Sequence, residues 1–335
     1  MTAANLADST WNDVWQAQAT EWIGHVADKL GLALTGPPVL AHVRPWSAVL
    51  KVSTAHGLLW FKANGPGAAH EARVVSVLHG VAPARVTEPV SIDETTGWFL
   101  ARSAGTPLPD APTLEDDLSR WETILGEYAA LQHALAAHSE ELIAAGAPDM
   151  RPESLADTFA SVLDDPHGLW IDEPGGLTRE EYEGLLALRS STRAWCDELA
   201  GLGIPSTVQH DDLHAGNVFA GADGYMFIDW ADACVSHPFG SLLHPEREMA
   251  ARWGLAPNGP ELHRLRLAYF GPWAATYDPA ALQRARRLAL SVTCLVRALA
   301  WRRALDGVER SALKEYYARP EPRWLRKLLH ADPLS

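Results

Sequence analysis

Residues 209–219, QHDDLHAGNVF, place two histidines, two aspartates and an asparagine within one short segment. The segment lies between STVQH (206–210), which is typical of a strand, and VFAGADGYMFIDW (218–230), which is typical of a β-hairpin. Adjacent side chains on extended backbone point to opposite faces. His210 and Asp211 are therefore poorly placed for the metal site of a helical metal phosphohydrolase, although that hypothesis stays open. No G-x-S-x-G motif accompanies the segment, which disfavours a serine nucleophile.

The spacing of the polar residues in the same segment is also typical of enzymes that transfer phosphate. His210, Asp212 and Asn217 match the H-x-D-x-x-x-x-N pattern of a kinase catalytic loop. Asp229 follows the apolar strand YMFI, one hairpin further on, where a kinase places its second metal-binding carboxylate. Asp212 would accept the proton of a substrate hydroxyl or orient that hydroxyl. Asn217 and Asp229 would hold Mg²⁺ through the oxygen ligands that this ion prefers.

The N-terminal part of the chain offers an independent check on this hypothesis. Its short segments rich in β-branched and aromatic residues predict an antiparallel sheet with one inserted helix. Lys62 lies on the third strand and Glu71 on the helix that follows, like the lysine–glutamate pair of a kinase. We therefore expect both residues to take part in binding the nucleotide. The predicted elements are a helix over 10–31 with Gly31 as its C-cap, strands over 39–43, 47–53, 58–63, 84–92 and 97–102, and a helix over 67–80.

The rest of the chain has a mostly helical pattern. Apolar residues recur at helical spacing over 113–138 and over 178–200, and four or five further helices are expected within 239–330. The sequence thus predicts an α+β, protein-kinase-like two-lobe fold with a small antiparallel-sheet lobe and a larger helical lobe. We expect residues 1–101 to hold the N-terminal helix and the nucleotide-binding β-lobe. Residues 102–335 would form the helical lobe with the catalytic loop and the acceptor site.

Composition narrows the class of protein. The 335 residues are 47% hydrophobic and 21% charged, as in an ordinary globular protein. The longest apolar run begins at Leu288 and stops at Arg297, so it predicts a buried helix and no membrane span. The net charge of −14 argues against nucleic acid or an anionic membrane as a partner. Three scattered cysteines and the absence of a secretion signal favour free thiols and a cytoplasmic protein.

The motifs together resemble the aminoglycoside phosphotransferase family, whose fold is similar to that of choline kinases and protein kinases. The family loop usually reads H-G-D-L-H-x-G-N, and residues 210–217 match it except that Asp211 replaces the glycine. The family's metal segment resembles I-D-[WF]-x-x-A, which residues 228–233 fit. His237-Pro238 stands where the family has an Asp-Pro pair.

This resemblance implies ATP or GTP as phosphoryl donor, together with Mg²⁺. The nucleotide would lie between the lobes, with Leu100 and Ala101 at the linker that contacts its base. Residues 44–47, RPWS, stand where a glycine-rich phosphate loop would be, so the groups that cradle the phosphates stay open. A protein-kinase activity is disfavoured because no A-P-E-like segment follows Asp229.

The sequence gives the least information about the acceptor, the molecule that would receive the phosphate. An acidic cleft would favour a cationic acceptor, and tryptophans stack on sugar faces, so we expect an aminoglycoside, an amino sugar or a similar small molecule with a hydroxyl. A nucleotide-binding regulatory module without transferase activity remains the main alternative. The candidate contact residues are Asp211, His214, Asp232, His244, Glu246, Glu248, Trp253, Trp273 and Trp301.

Overall fold

An antiparallel sheet with a helix on one face forms the N-terminal part of the protein. The computed structural model describes residues 10–310, 313 and 315–330. The strands follow the order β1-β2-β3-β5-β4, and all pairs are antiparallel. The elements are α1 (Asp13–Leu30), β1 (Val39–Arg44), β2 (Ser47–Thr54), β3 (Gly57–Asn64), α2 (Glu71–Val81), β4 (Pro89–Ile92) and β5 (Phe99–Arg102).

The two faces of β3 serve different purposes because side chains alternate along a strand. Phe61 is buried in a core that the sheet shares with α1, where it contacts Trp15 and Trp22. The next residue, Lys62, points to the opposite face. Helix α1 begins after Asn12, which accepts a hydrogen bond from Trp15 N, and ends at Gly31 with a φ of 65°. The α1 prediction is therefore confirmed, including its C-cap.

From residue 103 onward the described chain is mostly helical. The predicted helix over 178–200 is in fact two helices, because the backbone at Leu188 takes a ψ of −5° and interrupts the helical path. The helices are α3 (Leu114–Leu135), α4 (Ser139–Ala144), α5 (Pro152–Asp164), α6 (Arg179–Ala187), α7 (Arg189–Gly201), α8 (Leu243–Trp253), α9 (Pro260–Phe270), α10 (Pro279–Ala304), α11 (Glu315–Ala318) and α12 (Pro320–Arg326). The strands are β6 (Thr106–Pro107), β7 (Thr207–Gln209), β8 (Val218–Gly221), β9 (Gly224–Phe227) and β10 (Cys234–Ser236).

Short strands hold the predicted catalytic loop in place. The loop runs from β7, which pairs with β10, to β8, which pairs with β6 and β9. At its start, His210 N donates to the buried hydroxyl of Tyr128 on α3 at 3.0 Å. At its end, Ile228 N donates to Asn217 O at 3.1 Å across the β8–β9 hairpin. The hairpin therefore brings the residue before Asp229 next to Asn217.

Helix α10 is the central buried helix of the helical part. It contacts α7, α12 and the 3₁₀ turn Pro238–Leu242, and most of its apolar residues are buried. Its C-terminal end also reaches the N-terminal part, where a Cβ added at Gly67 would lie 1.9 Å from Arg303 O. Within the described residues, no helix is both long and apolar enough to cross a membrane.

Candidate active site

Most of the predicted site residues meet in one cleft of about 1050 Å³ between the sheet and the helical part. Strands β2 and β3 form one wall, and the catalytic loop with α8, α10 and α12 forms the other. The chain therefore brings together residues from its first quarter and its last. The predicted residues that line the cleft are Lys62, Glu71, Ala101, Asp212, His214, Asn217, Asp229, Asp232, His244, Glu248 and Trp301.

Lys62 bridges two carboxylates across the cleft. Its Nζ lies 2.9 Å from Glu71 Oε1 and 2.5 Å from Asp229 Oδ1. Glu71 is held in turn by Asn64 Nδ2 at 2.6 Å and by Trp230 N at 2.9 Å. Burial alone would lower the pKa of Lys62, but Asp229 and Glu71 outweigh it and raise that pKa, so the ammonium stays charged. A cation fixed in this way can bind phosphate oxygens.

Asp229 and Asn217 present oxygen atoms to the same cleft. Asp229 follows β9 in the left-handed region, with a φ of 63°, and its side chain is 47% exposed. Partial loss of hydration in the cleft opposes the ionisation of Asp229, but the Lys62 ammonium outweighs this effect and lowers the pKa of Asp229. Asn217 uses its Nδ2 to donate to Asp212 O at 3.0 Å, so its amide oxygen is not the atom used in that bond. One carboxylate and one amide oxygen form a donor set that fits Mg²⁺.

Asp212 is held by a buried arginine from α10. Its Oδ1 lies 2.8 Å from Arg297 Nη2, and its Oδ2 lies 3.6 Å from His214 Nε2. His244 Nδ1 is 4.0 Å away on α8. Burial raises the pKa of Asp212, but Arg297 and the two histidines outweigh burial and hold that pKa well below its usual range. Asp212 is therefore a carboxylate at neutral pH.

His210 lies behind the loop. Its ring is fully buried at 4.5 Å from the Trp230 ring, and its Nε2 is 2.9 Å from Ile228 O. Burial lowers its pKa, so the ring is neutral and ties the loop to the strand that carries Asp229. Among the described residues, no group of three or more His, Cys, Asp or Glu side chains could hold a metal ion. That finding gives no support to a phosphohydrolase centre built on His210 and Asp211.

A family model described as the phosphotransferase enzyme family (APH) matches residues 37–239, more than half of the chain. The chain belongs to this phosphotransferase family. The resemblance drawn from the catalytic loop is therefore confirmed. No curated protein sequence matches the chain significantly.

Solved structures extend the likeness of this phosphotransferase over almost the whole chain. An ethanolamine kinase from Plasmodium vivax is 14% identical, with 96% of each chain covered and a TM-score of 0.58. A choline kinase from Streptococcus pneumoniae is 11% identical, with 92% of this chain and 99% of that chain covered and a TM-score of 0.58. A macrolide 2′-phosphotransferase from Brachybacterium faecium is 17% identical, with 91% and 98% covered and a TM-score of 0.56. At these identities the likeness shows the fold, and the expected kinase-like α+β fold is confirmed.

Two acceptor candidates of this phosphotransferase lie outside the cleft. Glu246 is fully buried in α8, where it pairs with Arg266 at 2.7 Å and with Arg286. Asp211 is 2% exposed, and its Oδ1 accepts from Gln209 Nε2 at 2.8 Å. Neither side chain lines the cleft, so the structure gives no support to the predicted contact of Asp211 and Glu246 with the acceptor. In both cases the chain folds the carboxylate inward against a buried partner, which the local sequence does not reveal.

Strand alternation separates the side chains of the two residues predicted to contact the nucleotide base. On β5, Ala101 lines the cleft, whereas the side chain of Leu100 is buried in the core shared with α1.

The three tryptophans that were candidates for contact with the acceptor lie in different surroundings. Trp301 lines the cleft, Trp273 is in the core, and the indole of Trp253 donates to Asp117 at 2.7 Å.

His237, which replaces the family's aspartate, has a structural role. Its Nδ1 accepts from Phe239 N at 3.2 Å and so caps the buried 3₁₀ turn Pro238–Leu242. Burial lowers its pKa to about 3, so the imidazole is neutral and can accept that bond. The ring therefore takes over the capping that an aspartate side chain also provides.

The sequence alone missed several residues that line the cleft. Arg297 also pairs with Asp232 at 2.5 Å and with Asp211 at 3.8 Å, and it is 5% exposed. Its only sequence signal is a single arginine that ends an apolar run within a long helix. Trp46, in the two-residue turn between β1 and β2, lines the cleft where the family has its phosphate loop. Two further arginines, Arg247 and Arg323, line the helical wall.

Proposed function

We propose that this phosphotransferase moves the γ-phosphate of ATP, or of GTP, to a hydroxyl group of a small molecule. Asp212 orients the hydroxyl, Lys62 binds phosphate oxygens, and Asn217 with Asp229 holds Mg²⁺. One observation carries the proposal: Lys62 contacts Glu71 and Asp229 in the cleft that Asp212 and Asn217 also line. Phosphoryl transfer depends mainly on positioning and on charge neutralisation, and this arrangement supplies both.

In the proposed reaction the acceptor oxygen forms a bond to the γ-phosphorus while the bond from that phosphorus to the bridging oxygen of the nucleoside diphosphate breaks. Bound Mg²⁺ would neutralise charge on the phosphate oxygens. The low pKa of Asp212 makes it a weak base. We therefore infer that Asp212 first fixes the hydroxyl by accepting its hydrogen bond. The proton then passes to Asp212 late in the step, when the forming bond to phosphorus has made the hydroxyl oxygen acidic.

Magnesium-dependent ADP release, measured with a panel of hydroxyl acceptors, tests this proposal. We expect Asp212→Asn to lower acceptor-dependent kcat by about 10²–10⁴-fold, the range that positioned acid–base groups contribute. Asp223→Asn is the matched control, because Asp223 is an exposed residue of the hairpin turn 11 positions away. The control should keep wild-type kcat. Lys62→Met should mainly weaken nucleotide binding, measured by titration with ATP.

Two results would count against the proposal. Equal turnover by wild type and Asp212→Asn would remove Asp212 from the reaction. Tight binding of ATP without ADP release for any acceptor would favour the nucleotide-binding regulatory module. The presence of Asp212 in the same cleft supports the enzyme over that module, since a site kept only for binding nucleotide has no need of an acceptor-side carboxylate.

A further inference from the structure

The turn between β1 and β2 offers few backbone donors to a phosphate group. Arg44 at the end of β1 pairs with Ser47 at the start of β2, so the turn consists of Pro45 and Trp46. Proline has no backbone N–H, and the turn is fixed in place because Gly65 N donates to Trp46 O at 2.8 Å. Glycine-rich phosphate loops bind through successive backbone N–H groups, which this turn lacks. A side chain is then needed to bind a phosphate at this end of the cleft.

Arg44 presents its side chain to the cleft. Its neighbour Val43 packs against the core on the other face of the sheet. Arg44 is half-buried, and it donates from Nη1 to Val43 O at 3.3 Å. Arg102, which also lines the cleft from the sheet, is paired with Glu88. Among the described residues no carboxylate pairs with Arg44, so its charge is available to a ligand.

Strand register places Arg44 close to Lys62 along the same wall. Lys62 pairs with Val49 on β2, and Val49 pairs with His42 on β1. Arg44 follows two residues later on β1 and lines the same cleft. With strands about 4.8 Å apart and a rise of about 3.4 Å per residue, the Cα atoms of Lys62 and Arg44 are about 12 Å apart. Two long side chains can therefore bind one polyphosphate from both sides.

The electrostatic environment of His42 places Arg44 in the same region as Asp229. Partial loss of hydration lowers the pKa of His42, and the Arg44 guanidinium lowers it further. Asp229 opposes these effects and Lys62 adds to them, so three charges act on this one ring. Arg44 and Lys62 thus face the part of the cleft next to Asp229, where the proposed function puts the phosphates.

The predicted contact with the nucleotide base lies on the other side of Lys62. Ala101 lines the cleft and pairs with Trp60, two residues before Lys62 on β3. Arg44 lies across the sheet from Asn64, two residues after Lys62. A nucleotide whose base lies near Ala101 would therefore have Lys62 midway along it and Arg44 at its far end, where the terminal phosphates are.

We propose that Arg44 binds the terminal phosphates of ATP and takes the place of a glycine-rich loop. Its guanidinium donates parallel N–H groups to phosphate oxygens. Lys62 is shared between Glu71 and Asp229, which leaves an excess of negative charge among those three side chains. A second cation offsets this excess when a polyphosphate binds. The inference rests on the proposed function, because it requires that the cleft binds a nucleoside triphosphate.

Titration calorimetry of the full-length protein with AMP, ADP and a non-hydrolysable ATP analogue, in the presence of Mg²⁺, tests the proposal. We expect Arg44→Gln to bind the ATP analogue about 10- to 100-fold more weakly, the range for a lost hydrogen bond to a charged group. The loss should be smaller for ADP and absent for AMP, which lacks the terminal phosphates. Arg44→Lys should recover part of the affinity, since it restores the charge without the parallel donors.

Lys51→Gln is the matched control. Lys51 is an exposed cation of β2 that does not line the cleft, so its loss changes the net charge equally without removing a contact to bound nucleotide. This variant should keep wild-type affinity for all three nucleotides. Since no described carboxylate pairs with Arg44, the Arg44 variants should also keep the wild-type Tm.

Wild-type affinity of Arg44→Gln for the ATP analogue would overturn the inference, as would an equal loss of affinity for AMP and for the ATP analogue. The same titrations distinguish this failure from that of the proposed function. A wild-type protein that binds no nucleotide would refute the proposed function itself. Wild-type binding of the ATP analogue with an unaffected Arg44→Gln variant would refute the role of Arg44 alone.

Discussion

Asp211 gives the sharpest prediction about stability. It stands where the family has glycine, takes a left-handed φ of 60°, and is buried with no hydrogen-bond donor at Oδ2. Burial raises its pKa to about 7, in spite of the attraction of Arg297. The change Asp211→Asn keeps the size of the side chain and removes the buried charge. We therefore expect the variant to be more stable than the wild type at neutral pH.

The magnitude follows from the pKa difference between the two states. An unfolded aspartate has a pKa of about 3.9, and the folded value is about 7. The folded state thus binds the proton more tightly, so the wild type is most stable below the unfolded pKa and loses stability as pH rises through 7. At about 1.4 kcal/mol per unit, the full difference is about 4 kcal/mol, of which about 2.3 kcal/mol develops between pH 5 and 7, because the folded carboxyl is half ionised at pH 7.

Urea denaturation at pH 5, 6, 7 and 8 measures this effect. The free energy of unfolding of Asp211→Asn minus that of the wild type should rise from pH 5 to 7 and level off above pH 7. Comparing the two proteins cancels the other titrating groups. Asp223→Asn, the exposed turn variant, should show no such rise. A difference that is independent of pH, or that falls as pH rises, would refute the argument from the buried carboxylate.

Two further predictions concern packing. Glu246→Ala should lower the free energy of unfolding by about 3–5 kcal/mol, because it leaves two buried arginines without their counter-ion; urea denaturation measures this, and a loss below about 1 kcal/mol would contradict it. Gly67→Ala should lower Tm and raise KM for ATP, because its Cβ would meet Arg303 O at 1.9 Å and push the sheet away from α10. Gly80→Ala, where no atom lies within 4 Å, is the control and should leave both unchanged or slightly raise Tm.

Local patterns determined much of the fold. The N-terminal helix, the three-stranded start of the sheet and the catalytic hairpin follow from periodicity, capping and turn residues that act within a few positions. The strand expected over 84–92 was too long, since only Pro89–Ile92 pairs with β5. The long helix expected over 113–138 ends at Leu135 and continues as a 3₁₀ turn. Where a helix or strand ends depends on its tertiary contacts, and a local sequence pattern carries no information about those contacts.

The sequence by itself determined the family, and it predicted phosphate-binding residues that the fold brings into one cleft. The spacing from His210 to Asn217, followed by Asp229 after a strand, encodes a loop and hairpin whose geometry is local. Lys62 was recognisable because it follows three apolar residues on the third predicted strand and precedes a helix that carries Glu71. These assignments needed only sequence patterns that extend over a short stretch of the chain.

Tertiary structure alone decided which carboxylates are paired with arginines inside the protein. Asp211, Asp232 and Glu246 are indistinguishable from exposed carboxylates in the sequence, and each is paired with an arginine 20 or more positions away. Arg297 reaches Asp212 from 85 residues further along the chain. Ion pairing across such separations depends on how α8 and α10 pack against the loop. Which charged side chains face the cleft is therefore a property of the folded protein.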